Sequence, residues 1–479
     1  MKISLINPPV DFSVSLGKIK KIAATTKMLP LGLGYIAGVA KKHGFDIEII
    51  DGYAEDLSIG ETIERCLSNN SRIVGISTVT PTVPTMLAIA KGIKEKSNGK
   101  APLIVSGGAH AHIMPRQILE TGLVDVAVRG EGELTFLELI RNVEKNNQDF
   151  SAIQGISYRK GGKIFHNPDR QYIEDLDSLP YPAHELLKMD LYSAPLHWLV
   201  AEPAYQMIIS RGCPFNCIFC GIKALGRNVR ARSVENVLGE IEFLHKHYGA
   251  REIMLVDPAF PLSRKLGIEF CQKYIERGLH KKVLWVTETR VDVVDEELLK
   301  LMYKAGCRLV EFGIETGSEK TLKKIKKNAS LEQARNAVKW SKKAGLEVFS
   351  SFIIGFPGET REDMQETVDF IKSLEIDYPK INLLVPYPGS EVYETIIKER
   401  PDISKEWDKY TSFSSMTENE PVYVPDGISA QDLKVLHKSA YRQIYLRPVF
   451  ILRHIKKLGS WLNIKKYFII ASALIRAIF

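Results

Sequence analysis

The sequence predicts an α/β protein of two parallel β-systems in tandem: an N-terminal doubly wound sheet, then an open six-unit (β/α) barrel with a helical tail. Three observations carry this. Apolar runs of strand length alternate with helical patterns over residues 1–150, the signature of βαβ units. The alternation stops at a Pro- and Gly-bearing connector, 151–199, and resumes with a longer period over 200–395. From 396 to 479 strand patterns fade and helices dominate. A chain of 479 residues is too long for one ordinary core, so more than one domain is expected.

The elements follow in order. "KISLINPP" is a strand stopped by two prolines, "LGYIAGVAKKHG" a helix ended by glycine, and "FDIEIID" a strand. "SRIVGISTVTP", "APLIVSGGAHA" and "VDVAVRGEGE" are strands, each followed by a helical stretch. The ligand crevice of a doubly wound sheet lies at the carboxyl ends of its strands. Those ends are Ser77–Thr80, Gly107–Gly108 and Arg129–Glu133. In the connector, "ISYRKGGKIFH" reads as a hairpin turning at Gly161–Gly162.

In the barrel, strands are expected near 206–210, 252–257, 283–287, 308–314, 347–355 and 380–386. Ser233 is the expected N-cap of the helix "SVENVLGEIEFLHKHYG". Six such units suit a partial barrel, with functional residues at the C-terminal strand ends. In the tail, the apolar run Tyr467–Ile475 is interrupted by Ser472 and is short of the ~20 residues that span a bilayer. Lys465, Lys466, Arg476 and Trp461 beside it fit an interfacial amphipathic helix.

Charge is uneven. The chain carries +8, yet residues 433–479 hold ten Lys or Arg and no acid, leaving 55 basic against 57 acidic side chains elsewhere. The basic character belongs to the tail, so nucleic acid is not an expected partner. The six cysteines are sparse and no secretory signal opens the chain, which points to a reduced cytoplasmic setting, with contact to the inner membrane face through the tail. Cys66, Cys271 and Cys307 are scattered and read as core thiols.

Cys213, Cys217 and Cys220 are different. They sit in "SRGCPFNCIFCG", on a loop that follows the first barrel strand. Structural zinc takes four ligands, and a cubane iron–sulfur cluster normally takes four thiolates. Three thiolates leave one iron open to a ligand. Gly212 allows a tight turn and Pro214 stiffens it.

This spacing, with the aromatic Phe219 just before the last cysteine, resembles the radical S-adenosylmethionine (SAM) superfamily. The resemblance implies a [4Fe–4S] cluster on Cys213, Cys217 and Cys220. SAM would chelate the open iron and be cleaved to a 5′-deoxyadenosyl radical that abstracts hydrogen from an unactivated carbon. An external donor of flavodoxin or ferredoxin type would supply the electron. "EFGIETGS" resembles the family's fourth-strand motif and makes Glu315 a SAM contact. "TETRVD" places Arg290 for the SAM carboxylate, and "FIIGFPGET" places Gly355 near the adenine. Asp257 precedes Pro258 where relatives often carry two polar residues, so no role follows for it.

A doubly wound domain ahead of such a barrel resembles the cobalamin-binding subgroup, and "YRQIYLRPVFILR" resembles a segment of its anaerobic Mg-protoporphyrin cyclase, hopanoid-modifying and C-methylating branch. This implies a Rossmann-like cobalamin domain with Ser77, Thr78, Gly107, Gly108 and Gly130 around the cofactor. The subgroup's Asp-x-His-x-x-Gly motif is missing: Asp11 is followed by Ser13 where the histidine would stand. His110 and His112 read as loop or tail contacts. The expected activity is C-methyl transfer, with the basic, apolar tail favouring a lipid or isoprenoid substrate. An oxidative cyclase or rearrangement enzyme with the same cofactors is the alternative, and a cluster-bearing sensor without turnover is the third reading. Methylthiotransfer would need more cysteines in the first domain, which holds only Cys66.

Overall fold

In a computed structural model of the chain, the described residues are 1–10, 27–97, 99–401, 403, 406–411, 419–455, 457–458, 464 and 466–472. The stretch holding Asp11 and Ser13 lies outside them, as do Trp461, Lys465 and Arg476 of the tail.

The first unit is a seven-stranded sheet of order β2-β1-β3-β4-β5-β6-β7. Its strands are β1 (Lys2–Asn7), β2 (Asp46–Asp51), β3 (Ile73–Ser77), β4 (Leu103–Gly107), β5 (Val126–Val128), β6 (Ile156–Lys160) and β7 (Lys163–His166). β1 to β5 run parallel and β6 and β7 are antiparallel. The expected hairpin forms, with Gly161 and Gly162 at positive φ. It pairs with β5 rather than standing in a connector, because β5 would otherwise leave an unpaired edge. Strand order reverses between β1 and β3, where such sheets open their ligand crevice. Both faces are covered, so the strands read as apolar runs. Leu31–Lys42 and Gly132–Glu144 cover one face, and Ile59–Ser68 and Val83–Lys96 the other.

The second unit is an open barrel. Six parallel strands run in chain order around it: β8 (Ala204–Met207), β11 (Glu252–Leu255), β12 (Leu284–Thr289), β13 (Cys307–Glu315), β14 (Glu347–Ile354) and β15 (Tyr378–Leu383). These match the expected strands to within a few residues. Ser233 caps Val234–Tyr248, its hydroxyl accepting from the Asn236 amide at 3.2 Å. The two short strands β9 (Ser210–Arg211) and β10 (Arg230–Ala231) pair antiparallel and pinch the base of the cysteine loop. Cys66, Cys271 and Cys307 are buried, as core thiols should be.

The helical tail packs on the barrel's β15 side. His437 and Tyr441 of the helix Ala430–Tyr445 meet the Ile381 carbonyl at 2.8 and 3.0 Å. Beyond it, His454 meets the Asp377 carbonyl at 2.9 Å, Lys457 pairs with Glu347 and Asp377 at 2.7 Å, and Lys466 donates to the Leu199 carbonyl at 3.1 Å. Glu347, Asp377 and Tyr378 stand at the N-terminal ends of their strands, so the tail closes the bottom of the barrel, opposite the cysteine loop.

Candidate functional site

The cysteine loop starts where β8 ends, and Asp257 holds that end. Its buried carboxylate accepts from the Ile209 amide at 3.0 Å, the Ser210 hydroxyl at 2.6 Å and the Ser210 amide. Burial pushes Asp257 to about 6 even so. Asp257 is thus a structural anchor for the loop, a role its sequence context did not suggest. Gly212 follows at φ +87, and a Cβ there would lie 2.2 Å from the Asn228 carbonyl oxygen. Only glycine fits this close crossing.

The three cysteines lie together at the barrel mouth. The Ile218 amide donates to the Ile325 carbonyl at 3.1 Å, and the Val392 amide donates to the Ile218 carbonyl at 3.0 Å, stitching the loop to the ends of two barrel units. Phe219 packs edge-on against Phe356, with 5.9 Å between ring centroids. Burial holds the Cys217 thiol above its ordinary value and pushes Cys220 to about 11. Such thiols are poor free nucleophiles, and a metal that takes their protons makes them ligands. Among the described residues no group of three or more His, Cys, Asp or Glu is arranged to hold a single metal ion. A cubane is held through separate irons, so its thiolates need not converge on one point, and the donor set fits a cluster.

Beside the loop, Arg290 and Glu315 are already committed. Arg290 makes a two-pronged pair with Asp292 at 2.8 Å and donates to the Lys327 carbonyl at 2.6 Å. It also lies 3.7 Å from Cys217 Sγ and 3.7 Å above the Phe215 ring. Glu315 pairs with the buried Lys327 at 2.6 Å. Its φ of +74 at a bulge in β13 is a strained conformation of the kind that clusters at functional sites. Lys327 was not visible in the motifs, because its partner stands twelve residues away across the helix Glu319–Lys324. Gly355 turns the end of β14 at φ +91. Glu359 accepts from the Gly355 and Phe356 amides at 2.6 and 2.9 Å and so holds that turn, a second residue the motif reading passed over.

A cavity of about 520 Å³ lies between the two units. Ser77, Gly107, Gly108 and Gly130 line it from the first sheet, and Ser210, Arg211 and Gly212 from the start of the cysteine loop. A Cβ at Gly130 would meet open space, while one at Gly108 would strike the Thr78 carbonyl oxygen at 2.8 Å. Thr78 departs from expectation. It does not line the cavity; its side chain is buried and bonds the Ser106 hydroxyl at 2.8 Å, because alternation turns it away from its neighbour Ser77. The rim carries a charged network that spans the units. Arg211 reaches Glu131 at 3.0 Å and Glu133 at 2.6 Å, and Arg230 reaches Glu131 at 2.9 Å. Both ring nitrogens of His112 are engaged, by the Gly130 amide and the Ala224 carbonyl. His110 is held by Thr80 and Gln117.

The radical SAM superfamily pattern matches residues 207–371, and the B12 binding domain pattern matches residues 17–140. An uncharacterised methyltransferase of Pyrococcus horikoshii is 36% identical over 95% of each chain. This chain belongs to the radical SAM superfamily. It carries the B12-binding domain of that superfamily's cobalamin group. The anaerobic magnesium-protoporphyrin IX monomethyl ester cyclase of Rubrivivax gelatinosus is 31% identical over 88% of this chain and 74% of its own. The cobalamin-dependent SAM radical enzyme OxsB, solved with aqua-cobalamin and SAM bound, superposes with a TM-score of 0.74 over 99% of this chain and 71% of its own, at 18% identity. At that identity the likeness is one of fold, and it covers both units and the tail. In this radical SAM enzyme the residues that flank the three cysteines, Ser210–Gly212 and Ile222, share one cavity with the glycine-lined strand ends.

Proposed function

We propose that this enzyme is a cobalamin-dependent radical SAM C-methyltransferase. The observation that carries this reading is the shared cavity: the strand ends that would cradle a corrinoid and the base of the loop that would hold a cluster line it together. Bound there, the cluster would supply the electron that cleaves SAM, and cobalamin would supply a methyl carrier. Cys213, Cys217 and Cys220 would hold a [4Fe–4S] cluster through three of its irons, with the fourth open to SAM. Arg290 sets a positive charge beside Cys217. Glu315, positioned by Lys327, would meet the SAM amino group. Phe219 and Gly355 would border the adenine. Ser77, Gly107, Gly108 and Gly130 let the backbone approach the cobalamin, and Thr78 supports them from below.

The lipid substrate expected from the tail gains no support from geometry, since the tail closes the far end of the barrel. The substrate is a small molecule reached from the cavity side, and the electron comes from an external flavodoxin- or ferredoxin-type donor. A second reading, oxidative cyclisation, is favoured by the 31% identity to the cyclase. Anaerobic reconstitution tests the cofactor set. Roughly four irons and four sulfides per chain are expected, as a cubane requires, together with cobalamin. Cys213→Ala should lose the brown chromophore and keep cobalamin. Stoichiometric zinc without iron would overturn the reading.

A further inference from the structure

Below Glu315 and Arg290 the barrel lumen is polar in a way that cluster and SAM binding do not require. Glu288 on β12 and Glu311 on β13 are register partners on adjacent parallel strands, so their side chains stand together on the lumen face. Like charges placed so are destabilising. Burial, and then each carboxylate's other acidic neighbours, hold both well above the ordinary carboxylate range. Glu311 accepts from the Ser351 hydroxyl at 2.8 Å. Among the described residues no hydrogen-bond donor meets the Glu288 carboxylate, although it is only half-buried.

The cationic side chain of this layer is Lys380 on β15, opposite Ser351 in register. Burial lowers its pKa, and Glu311 and Glu288 oppose that shift. The Glu315–Lys327 pair above is neutral within itself. With both carboxylates raised, the pair holds a proton near neutral pH, a place that a cation entering the layer can take. Two residues beyond Lys380, on the same face, Asn382 gives its amide nitrogen to the Phe352 carbonyl at 3.3 Å, and its buried Oδ1 has no partner. The unmet groups are all acceptors. At 3.3 Å rise per residue, Glu288 lies roughly 7 Å below Arg290, and Glu311 roughly 13 Å below Glu315. The layer thus lies below the radical site on the same lumen face.

We propose that Glu288, Glu311 and Asn382 form a recognition site for a protonated amine on the methyl-acceptor substrate, with Lys380 balancing one carboxylate. The amine nitrogen would donate to Glu288 and Asn382 Oδ1, and its charge would replace the proton held between the carboxylates. This rests on the methyl-transfer reading, and the test separates the two. Holoenzyme is incubated with methyl-deuterated SAM and a metabolite extract split into cation-exchange-retained, unretained and chloroform-soluble fractions. The label should enter the cation-exchange-retained fraction. Label confined to the unretained or lipid fraction overturns the amine site, whereas absence of S-adenosylhomocysteine and of label from every fraction overturns methyl transfer itself. Glu288→Gln and Glu311→Gln should each cut label transfer tenfold or more, while dithionite-driven cleavage of SAM to 5′-deoxyadenosine stays within twofold of wild type. A parallel loss of both reactions would assign the carboxylates to SAM or to folding and overturn the proposal.

Discussion

At the residue scale the site depends on charges that meet across the two units. Glu131 shows this best. Burial alone would raise its carboxyl, but hydrogen bonds from Arg230, the Ile173 amide and Arg211 outweigh that and hold it below its ordinary value. A carboxyl lowered on folding contributes stability above its unfolded pKa of about 4.3. That contribution is lost as pH falls through the folded value. Glu131→Gln should therefore cost about 2 kcal/mol at pH 7, the scale of a charge-assisted hydrogen bond, and flatten the acid limb of the stability curve. Urea unfolding of both proteins from pH 7 to pH 3 checks this. Two acid limbs that stay parallel would contradict it. Neither Glu131 nor Arg211 could be paired from sequence, because eighty residues separate them. By contrast Cys213, Cys217 and Cys220 were legible because one short loop contains all three.

At the element scale the cysteine loop is placed by the strand before it and by one carboxylate from the next strand. Asp257→Asn would leave an amide where three donors now converge, and unmade buried hydrogen bonds cost about 1–3 kcal/mol. The variant should lose iron to a chelator faster than wild type and unfold at lower temperature. Equal iron retention would show that β8 needs no such anchor. The alternation of strands and helices was readable throughout, since apolar period and glycine ends are local signals. Cross-strand register was not. It sets Glu288 beside Glu311 and joins the Gly161–Gly162 hairpin to the first sheet, and both depend on pairing partners that no local pattern reveals. The same limit applies to Thr78: its motif matched, but the strand's alternation turns its side chain inward.

At the scale of the whole molecule, the two ends of the barrel do different work. The top faces the first unit across the shared cavity, and the bottom is sealed by the tail. Of fifteen exposed large apolar side chains among the described residues, eight lie between Leu446 and Phe468, with Val449 67% and Phe468 75% exposed. Basic residues flank them without any acid from 433 onward. No helix among the described residues is long and apolar enough to cross a membrane. The pattern suits attachment to an anionic membrane surface. Leu452→Glu combined with Phe468→Glu should lower binding to phosphatidylglycerol vesicles at least fivefold and leave methyl transfer unchanged, because this face is remote from the cavity. Undiminished vesicle binding would retire the attachment.

In the proposed reaction one cavity would serve two uses of SAM, as methyl donor to cobalamin and as radical source at the cluster. The most direct measurement is the ratio of S-adenosylhomocysteine to 5′-deoxyadenosine formed per product by the anaerobic holoenzyme. Methyl transfer predicts one of each. 5′-Deoxyadenosine without S-adenosylhomocysteine, alongside a converted product, would contradict it and make the enzyme a cyclase.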